Sequence, residues 1–423
     1  MGLSIPALPQ EIFSTTQVRP SEAGETLKQL EKFAKSFAPF FYRKEQAELS
    51  KMYLEGLVSD LHRKSVEPIA IAHHHPRQGL QRFVGQGKWE DSDVRGELHR
   101  QIAAVLGDPD GVLVLDSSGF PKKGSHSVGV ARQWCGRLGK EDNCQVGVFI
   151  GYVGGGSYTL VDGDLYLPHE WTRSRDRLNS CHVPRTIGFR TKIRIAEDLL
   201  TLIVPKLPHR WIVGDDEFGR PADFRRKLRK QGEHYLLDVP SNTVIRDLAA
   251  PLPDRVPGRR GPSPQVPFVS VKAWADSQPA GAWKRVVVRP GEKGPLEVEI
   301  VTTSVRTRPH RKIGPRERLV VTRTVAAIPE YKYFLAHAES TTSLEVLARV
   351  AGTRHWIEQC FEISKDDIGM DHYEVRSWTG WQHHMTMSFL AHWFLTLEHR
   401  RLGEKIPCPD GRLDGAPGTE TAA

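Results

Sequence analysis

Nowhere in these 423 residues is there an apolar run long enough to cross a bilayer. The opening stretch, MGLSIPALPQEIFSTT, lacks the basic region and long apolar core of a secretory signal. Cysteine is scarce. The five residues, Cys135, Cys144, Cys181, Cys360 and Cys408, are odd in number and irregularly spaced. That argues against a disulfide framework and fits a reducing cytoplasm. No CxxC-type pair is present, so Cys135, Cys144 and Cys181, with His182, read as ordinary residues rather than a zinc site. The glycine-rich GYVGGGS has no GxxxxGK pattern and no helix after it, which argues against a phosphate loop. What remains is the composition of a soluble globular chain, 39% hydrophobic and 26% charged, with a formal charge of +8. That balance favours a polyanionic partner such as nucleic acid, and no membrane.

Residues 1 to about 24 read as irregular. From Glu25 to Gly107 apolar residues recur at three- and four-residue spacing, as in ETLKQLEKFAKSFAPFF and RKEQAELSKMYLEGLVSDLH. DSDVRGELHRQIAAVLG opens with Asp91 or Ser92 as N-cap and stops at Gly107. Residues 1–107 are thus an N-terminal helical region, either a DNA-end binding unit or a helical lid. From Val112 the texture changes to a strand, VLVLDSS, and an antiparallel meander through CQVGVFIGYVGGGSYTLVDGDLYLP. A helix (TKIRIAEDLLTLIVPKL), a strand (RWIVGDDEFG), a basic helix closed by Gly232 (RPADFRRKLRKQG) and a strand (HYLLDVPSN) follow. This mixture predicts an α/β core over 108–244. Residues 245–340 read as a β-rich insertion of short strands, FVSVKAW, WKRVVVRP, LEVEIVTTSV, RLVVTRTV and KYFLAHA, with basic loops such as RTRPHRKIGPRER. Helices return over 341–403, and the small, polar tail 404–423 reads as disordered.

Two of the strands end in carboxylates. In VLVLDSSGFPKKGSH, Asp116 stands at the mouth of an apolar run, where aspartate is a poor strand residue. It is either the cap of the following turn or a functional group with a partner. About a hundred residues on, Asp215 ends WIVG in the same way. If the strands are neighbours, both carboxylates emerge at one edge, and a divalent cation relieves their repulsion. Two magnesium ions there would activate a water or sugar hydroxyl at a phosphodiester. A third carboxylate is offered by Glu358. Arg354, Glu358 and Lys365, at i, i+4 and i+11, fall on one stripe of an ideal helix. A solvated, salt-bridged face would show the same stripe. Trp274 and Trp283 of the insertion either pack its sheet or stack on a displaced base.

LDSSGFPKKG, VGDDEFG and RHWIEQCFEISKDDIGMDHYEVR resemble the three acidic blocks of DDE-type insertion-sequence transposases. The third fits that family's Y-x2-R-x3-E-x6-K pattern at Arg354, Glu358 and Lys365, with Ala351 where the tyrosine stands. RFVGQGKWEDSDV, VARQWCGRLGKEDNCQVGVF and GMDHYEVRSWTGWQHH place the resemblance in the IS-four-like superfamily, nearest its IS-seven-oh-one branch. It runs roughly from Gln81 to Leu397. The resemblance implies an RNase H-like catalytic core with the β-rich insertion before the third acidic residue. It implies Asp116, Asp215 and Glu358 as catalytic metal ligands for Mg2+, with Mn2+ able to substitute. Asp216 is the alternative second aspartate; Asp215 aligns with the family's, four residues before Gly219. Arg354 and Lys365 are then expected at phosphates, and Arg308, Arg311 and Lys312 on DNA from the insertion. The implied reaction is cleavage of the element's ends and joining of the 3′-hydroxyls to target DNA. The implied partners are double-stranded DNA with terminal inverted repeats, target DNA, and a second copy of the chain in a homodimeric synaptic complex. The implied place is the bacterial cytoplasm, at the nucleoid. The alternatives are an RNase H-like nuclease without strand transfer and a domesticated DNA-binding protein without chemistry.

Overall fold

The computed structural model describes residues 20–254, 264–289, 294–309 and 312–403. The tail 404–423 expected to be disordered, Cys408 and Arg311 lie outside the described residues. The helical pattern begins earlier than its periodicity implied. It comprises α1 (Pro20–Phe37), α2 (Lys44–Val58), α3 (Val66–Ala72), α4 (Arg77–Gln86) and α5 (Asp91–Leu106). α5 stops at Gly107 as expected, but its N-cap is Glu90, with no side-chain cap.

A meander follows: β1 (Val112–Pro121), β2 (Ala131–Cys135), β3 (Lys140–Gly154) and β4 (Ser157–Tyr166). Two short helices, α6 (His169–Thr172) and α7 (Arg175–Ser180), lead to α8 (Lys192–Ile203). Then come β5 (Trp211–Gly214), α9 (Asp216–Gly219), α10 (Ala222–Lys230) and β6 (His234–Asp238). β1 pairs antiparallel with β3 on one side and parallel with β5 on the other, and β5 pairs parallel with β6. Val112–Leu115 and Trp211–Gly214 are buried without alternation. Strands covered on both faces carry unbroken apolar runs.

The insertion holds β7 (Val244–Asp247), β8 (Val269–Ser270), α11 (Val271–Asp276), β9 (Lys284–Arg289), β10 (Leu296–Thr307), β11 (Arg316–Thr324) and β12 (Tyr331–His337). FVSVKAW, read as a strand, is mostly α11. Ser270 Oγ accepts the Ala273 N–H and starts a helix where propensity favoured extension. The insertion strands continue the core sheet: β12 pairs with β6, and the order runs β2-β3-β1-β5-β6-β12-β11-β10-β7-β8, with β4 on β3 and β9 on β10. Trp274 and Trp283 are both buried in the insertion's own apolar cluster. Trp274 Nε1 donates to Asp247 Oδ2 at 2.8 Å, and the Arg323 guanidinium lies 4.1 Å over Trp283. Packing, not base stacking, is their state here.

The chain ends its described part in α12 (Leu344–Gly352), α13 (Arg354–Glu362) and the 26-residue α14 (Trp378–Gly403). α14 is buried on nearly all sides, between β4 and helices α2, α4 and α5. Its polar core groups find distant partners. His383 contacts the carbonyls of Val84 and Trp89, and His384 Nδ1 lies 2.9 Å from the Tyr53 hydroxyl. The N-terminal helices and the sheet therefore share one apolar core. No helix among the described residues is long and apolar enough to cross a membrane.

Candidate active site

Parallel pairing sets the site. Leu115 of β1 stands opposite Gly214 of β5, and Gly214 stands opposite Leu237 of β6. The next residue in each case is an aspartate: Asp116, Asp215 and Asp238 form one row where the parallel pairing ends, just past β5 and at the last residue of β6. Asp116, expected at a strand end, stands in mid-strand, because β1 runs on to Pro121 paired with β3. Neighbouring strands lie about 4.8 Å apart, so Asp116 and Asp215 are one step from each other and Asp238 is one step further. Asp116 and Asp215 were expected together. Asp238 was missed, although HYLLD carries the signal of the other two, an apolar run ending in aspartate.

Asp116 is 8% exposed, and its Oδ1 accepts the Ser117 N–H at 2.7 Å. Burial, and then the Asp215 charge, push its carboxyl up to about 7, against the pull of Arg354 and the Ser117 N–H. Asp215 is the N-cap of α9, where its Oδ1 accepts the Glu217 N–H at 3.0 Å. Burial raises its pKa too, with Arg354 opposing. Asp216 instead pairs with Arg220 at 2.7 Å, and both border the cavity that Asp215 and Glu358 share. Glu217 accepts from Ser117 Oγ and Lys192 Nζ, both at 3.0 Å. Burial pushes Asp238 up to about 6, with Arg354 and Lys332 opposing.

α13 lies against β1, β3 and β4, and its inner face (Trp356, Ile357, Cys360, Phe361) is buried. Phe361 meets Phe149 edge-on at 5.4 Å. This seats Arg354 and Glu358 over the aspartate row. Arg354 Nη1 is 3.3 Å from Asp238 Oδ2; its Nη2 is 3.3 Å from Glu358 Oε1 and 4.0 Å from Asp116 Oδ2. Glu358, 54% exposed at its side chain, faces the cavity. The stripe does not continue to Lys365 at helical pitch, because Ile363–Asp367 winds as a π-helix, the Ile368 N–H reaching the Ile363 carbonyl at 3.2 Å. Lys365 is buried rather than solvated. Its Nζ donates to Ser118 Oγ at 2.7 Å and lies 5.4 Å and 5.6 Å from the Phe120 and Phe361 rings. Burial lowers its pKa. Ala351, at the tyrosine position, packs on the core.

Asp116, Asp215, Arg354, Glu358 and Lys365 line one cavity of about 760 Å³, shared with Lys192, Arg137 and Trp134; Asp238 is not part of its lining. Trp134 is 59% exposed, an aromatic wall that the sequence did not single out. Around Arg354 stand four carboxylates, those of Asp116, Asp215, Asp238 and Glu358, more negative charge than one guanidinium balances. The donors are all oxygen, which suits a hard divalent cation. In the arrangement seen, no three His, Cys, Asp or Glu side chains among the described residues stand together closely enough to share an ion. Arg354 is the cation between them.

Arg308 and Lys312 are placed elsewhere. Arg306 pairs with Arg316 where β10 turns into β11, while Val298 and Thr324 pair at the other end. Following the ladders back through β12 to β6, the Arg308–Lys312 turn lies at the opposite strand ends from Asp238. The described ends of that turn, Arg308 and Lys312, therefore do not border the aspartate row. Arg318 is tied down, Nη1 donating to the Thr342 carbonyl at 2.8 Å.

The family model described as DDE superfamily endonuclease matches residues 36–295, a span that includes Asp116, Asp215 and Asp238 and ends before Glu358. Over 366 residues the chain is 24% identical to the probable transposase for insertion sequence element IS701 of Microchaete diplosiphon, covering 85% of this chain and 84% of that protein.

Proposed function

We propose that this chain, which belongs to the DDE superfamily of endonucleases, is a DNA transposase. It cuts the ends of an insertion sequence and joins the freed 3′-hydroxyls to target DNA. The observation that carries the reading is the level pair Asp116 and Asp215 on adjacent parallel strands, with Glu358 across the same cavity. The order β4-β3-β1-β5-β6, with β1, β5 and β6 parallel, supports an RNase H-like core. Asp116, Asp215 and Glu358 would hold Mg2+, or Mn2+ in its place. When bound, such ions activate the attacking oxygen and stabilise the leaving one. Arg354 and Lys365 face the phosphates, and the bound cations offset the repulsion between the carboxylates and the DNA. Two ends must be joined, so the working unit holds a second copy of the chain. The test is incubation with a duplex carrying the repeats that bracket its coding region, a target duplex and Mg2+. Cut and joined products support the reading. Cutting without joining makes it a nuclease, and binding without cutting makes it a DNA-binding protein.

The raised Asp116 carboxyl makes the affinity for the ion depend on pH. Below about 7 Asp116 holds a proton when no cation is bound, and the cation must displace it. Mn2+ affinity should therefore fall by up to about tenfold per pH unit below 7 and level off above it, with protons released on binding. Calorimetry at pH 6 and 8, in two buffers of different ionisation enthalpy, reads this. A flat affinity would rule it out.

Replacing Arg354 by glutamine or Lys365 by methionine should slow end cleavage about ten- to a hundredfold, the worth of one charge-assisted contact. Methionine is chosen because the Lys365 stem is packed among Phe120 and Phe361. Wild-type rates in both variants would remove these residues from the phosphate contacts.

The Arg308–Lys312 turn, away from the row, is proposed to meet the duplex at a distance from the cut. Neutralising Arg308, Arg311 and Lys312 should weaken cognate and scrambled duplexes alike and flatten the salt slope by about 0.9 per lost phosphate contact. Cleavage of a bound end should be unchanged. An unaltered slope in a salt-series binding assay would leave the turn without a role on DNA.

A further inference from the structure

Arg354 is held by competing partners. One terminal nitrogen is 3.3 Å from Asp238 on β6, and the other is 3.3 Å from Glu358 on its own helix and 4.0 Å from Asp116 on β1. Its Nε is buried without a hydrogen-bond partner. The guanidinium is thus surrounded by carboxylates yet incompletely satisfied. Two of those carboxylates, Asp116 and Glu358, are the ones a divalent cation would need. The third lies outside that set, since β6 is two strands from β1 and α13 packs on the β1 side.

We propose that Asp238 is a positioning residue that anchors Arg354 by one terminal nitrogen. With that anchor, Asp116 and Glu358 are free to turn to a cation, and the other terminal nitrogen is left to face a DNA phosphate. Without it, Arg354 falls onto Asp116 and Glu358 and competes with the cation for both. The proposal rests on the metal-site reading above. It separates Asp238 from the ligands: its effect must pass through Arg354. A carboxylate that bound metal directly would act whether or not the arginine were present.

The test is a double-mutant cycle on the full chain, with Mn2+ titrated by calorimetry in the absence of DNA. The proteins are wild type, Asp238→Asn, Arg354→Gln and the double variant, each shown folded by its thermal melt. Asp238→Ser is carried alongside, so that the result does not hang on one replacement. Loss of the Asp238 charge should weaken Mn2+ binding about tenfold in wild type and by threefold or less, roughly, once Arg354 is glutamine. On a cognate end at saturating Mn2+, Asp238→Asn should lower the single-turnover cleavage rate about tenfold with little change in DNA affinity, and the double variant should be no slower than Arg354→Gln alone. Equal losses of Mn2+ affinity in both backgrounds would make Asp238 a ligand and overturn the proposal. No loss in either background would overturn it as well. A wild-type protein that binds no Mn2+ would instead overturn the metal reading itself, and the proposal with it.

Discussion

Asparagine at Asp116 or Asp215, or glutamine at Glu358, is expected to reduce end cleavage at least about a thousandfold, roughly 4 kcal/mol of transition-state stabilisation. Each replacement keeps the shape and removes the charge that a divalent cation needs. The stability should hold or rise in Asp116→Asn, because the carboxyl it replaces is buried and sits beside Asp215. DNA affinity should not fall, since each variant loses a negative charge near the phosphates. Asp216→Asn is the internal control. Asp216 makes an exposed pair with Arg220, worth about 0–1 kcal/mol, and its loss should change the rate by a few-fold at most. Single-turnover cleavage of a labelled end gives the rates. If Asp216→Asn were the dead variant and Asp215→Asn the active one, the second ligand would have to be reassigned to the first turn of α9.

The two expected aspartates were legible because each ends a buried apolar run, which is a local signal, although β1 itself runs on past Asp116 to Pro121. Their level placement is a matter of parallel register, which no single stretch of sequence encodes. Asp238 shows the limit of that reading. Its apolar run ends in aspartate as the others do, but Val239 and Pro240 follow, and the proline marks a strand end two residues further on. Lys365 shows another limit. Helical pitch put it on the Arg354 stripe, but the π-helical turn at Ile363–Asp367 shifts it. What holds that turn comes from far away. Lys64 Nζ donates to the carbonyls of Leu57 and Asp367, and Gly369, at φ +74°, leaves room for the Lys64 stem, which a Cβ there would meet at 2.9 Å. The periodicity of the N-terminal helices was equally plain. Their role as one wall of the common core was not, because their partner α14 lies some three hundred residues on.

Alanine at Gly219 is expected to unseat the aspartate row. Gly219 closes α9, the turn of helix capped by Asp215, and that turn rests directly on β6. A Cβ at Gly219 would stand 1.7 Å from the Asp238 carbonyl oxygen and 2.8 Å from its carbon. The obstacle is backbone, so no side-chain rotation relieves it. Either α9 lifts, carrying Asp215 and the buried Phe218, or β6 shifts, carrying Asp238. Overpacking of this kind costs about 1–3 kcal/mol and sometimes more, and here the backbone contact argues for about 3 or above. Gly281→Ala is the matched control. Nothing lies within 4 Å of its Cβ position, and its φ is not in the left-handed region, so it should stay within about 0.5 kcal/mol of wild type. Urea midpoints give the stabilities, and cleavage below the folding transition gives the site. Gly219→Ala should lose cleavage even where it is fully folded, because the displaced atoms include the second aspartate. A variant as stable and as active as wild type would mean that α9 does not press on β6. The spacing of Asp215 and Gly219, four residues apart, would then lose its physical reason.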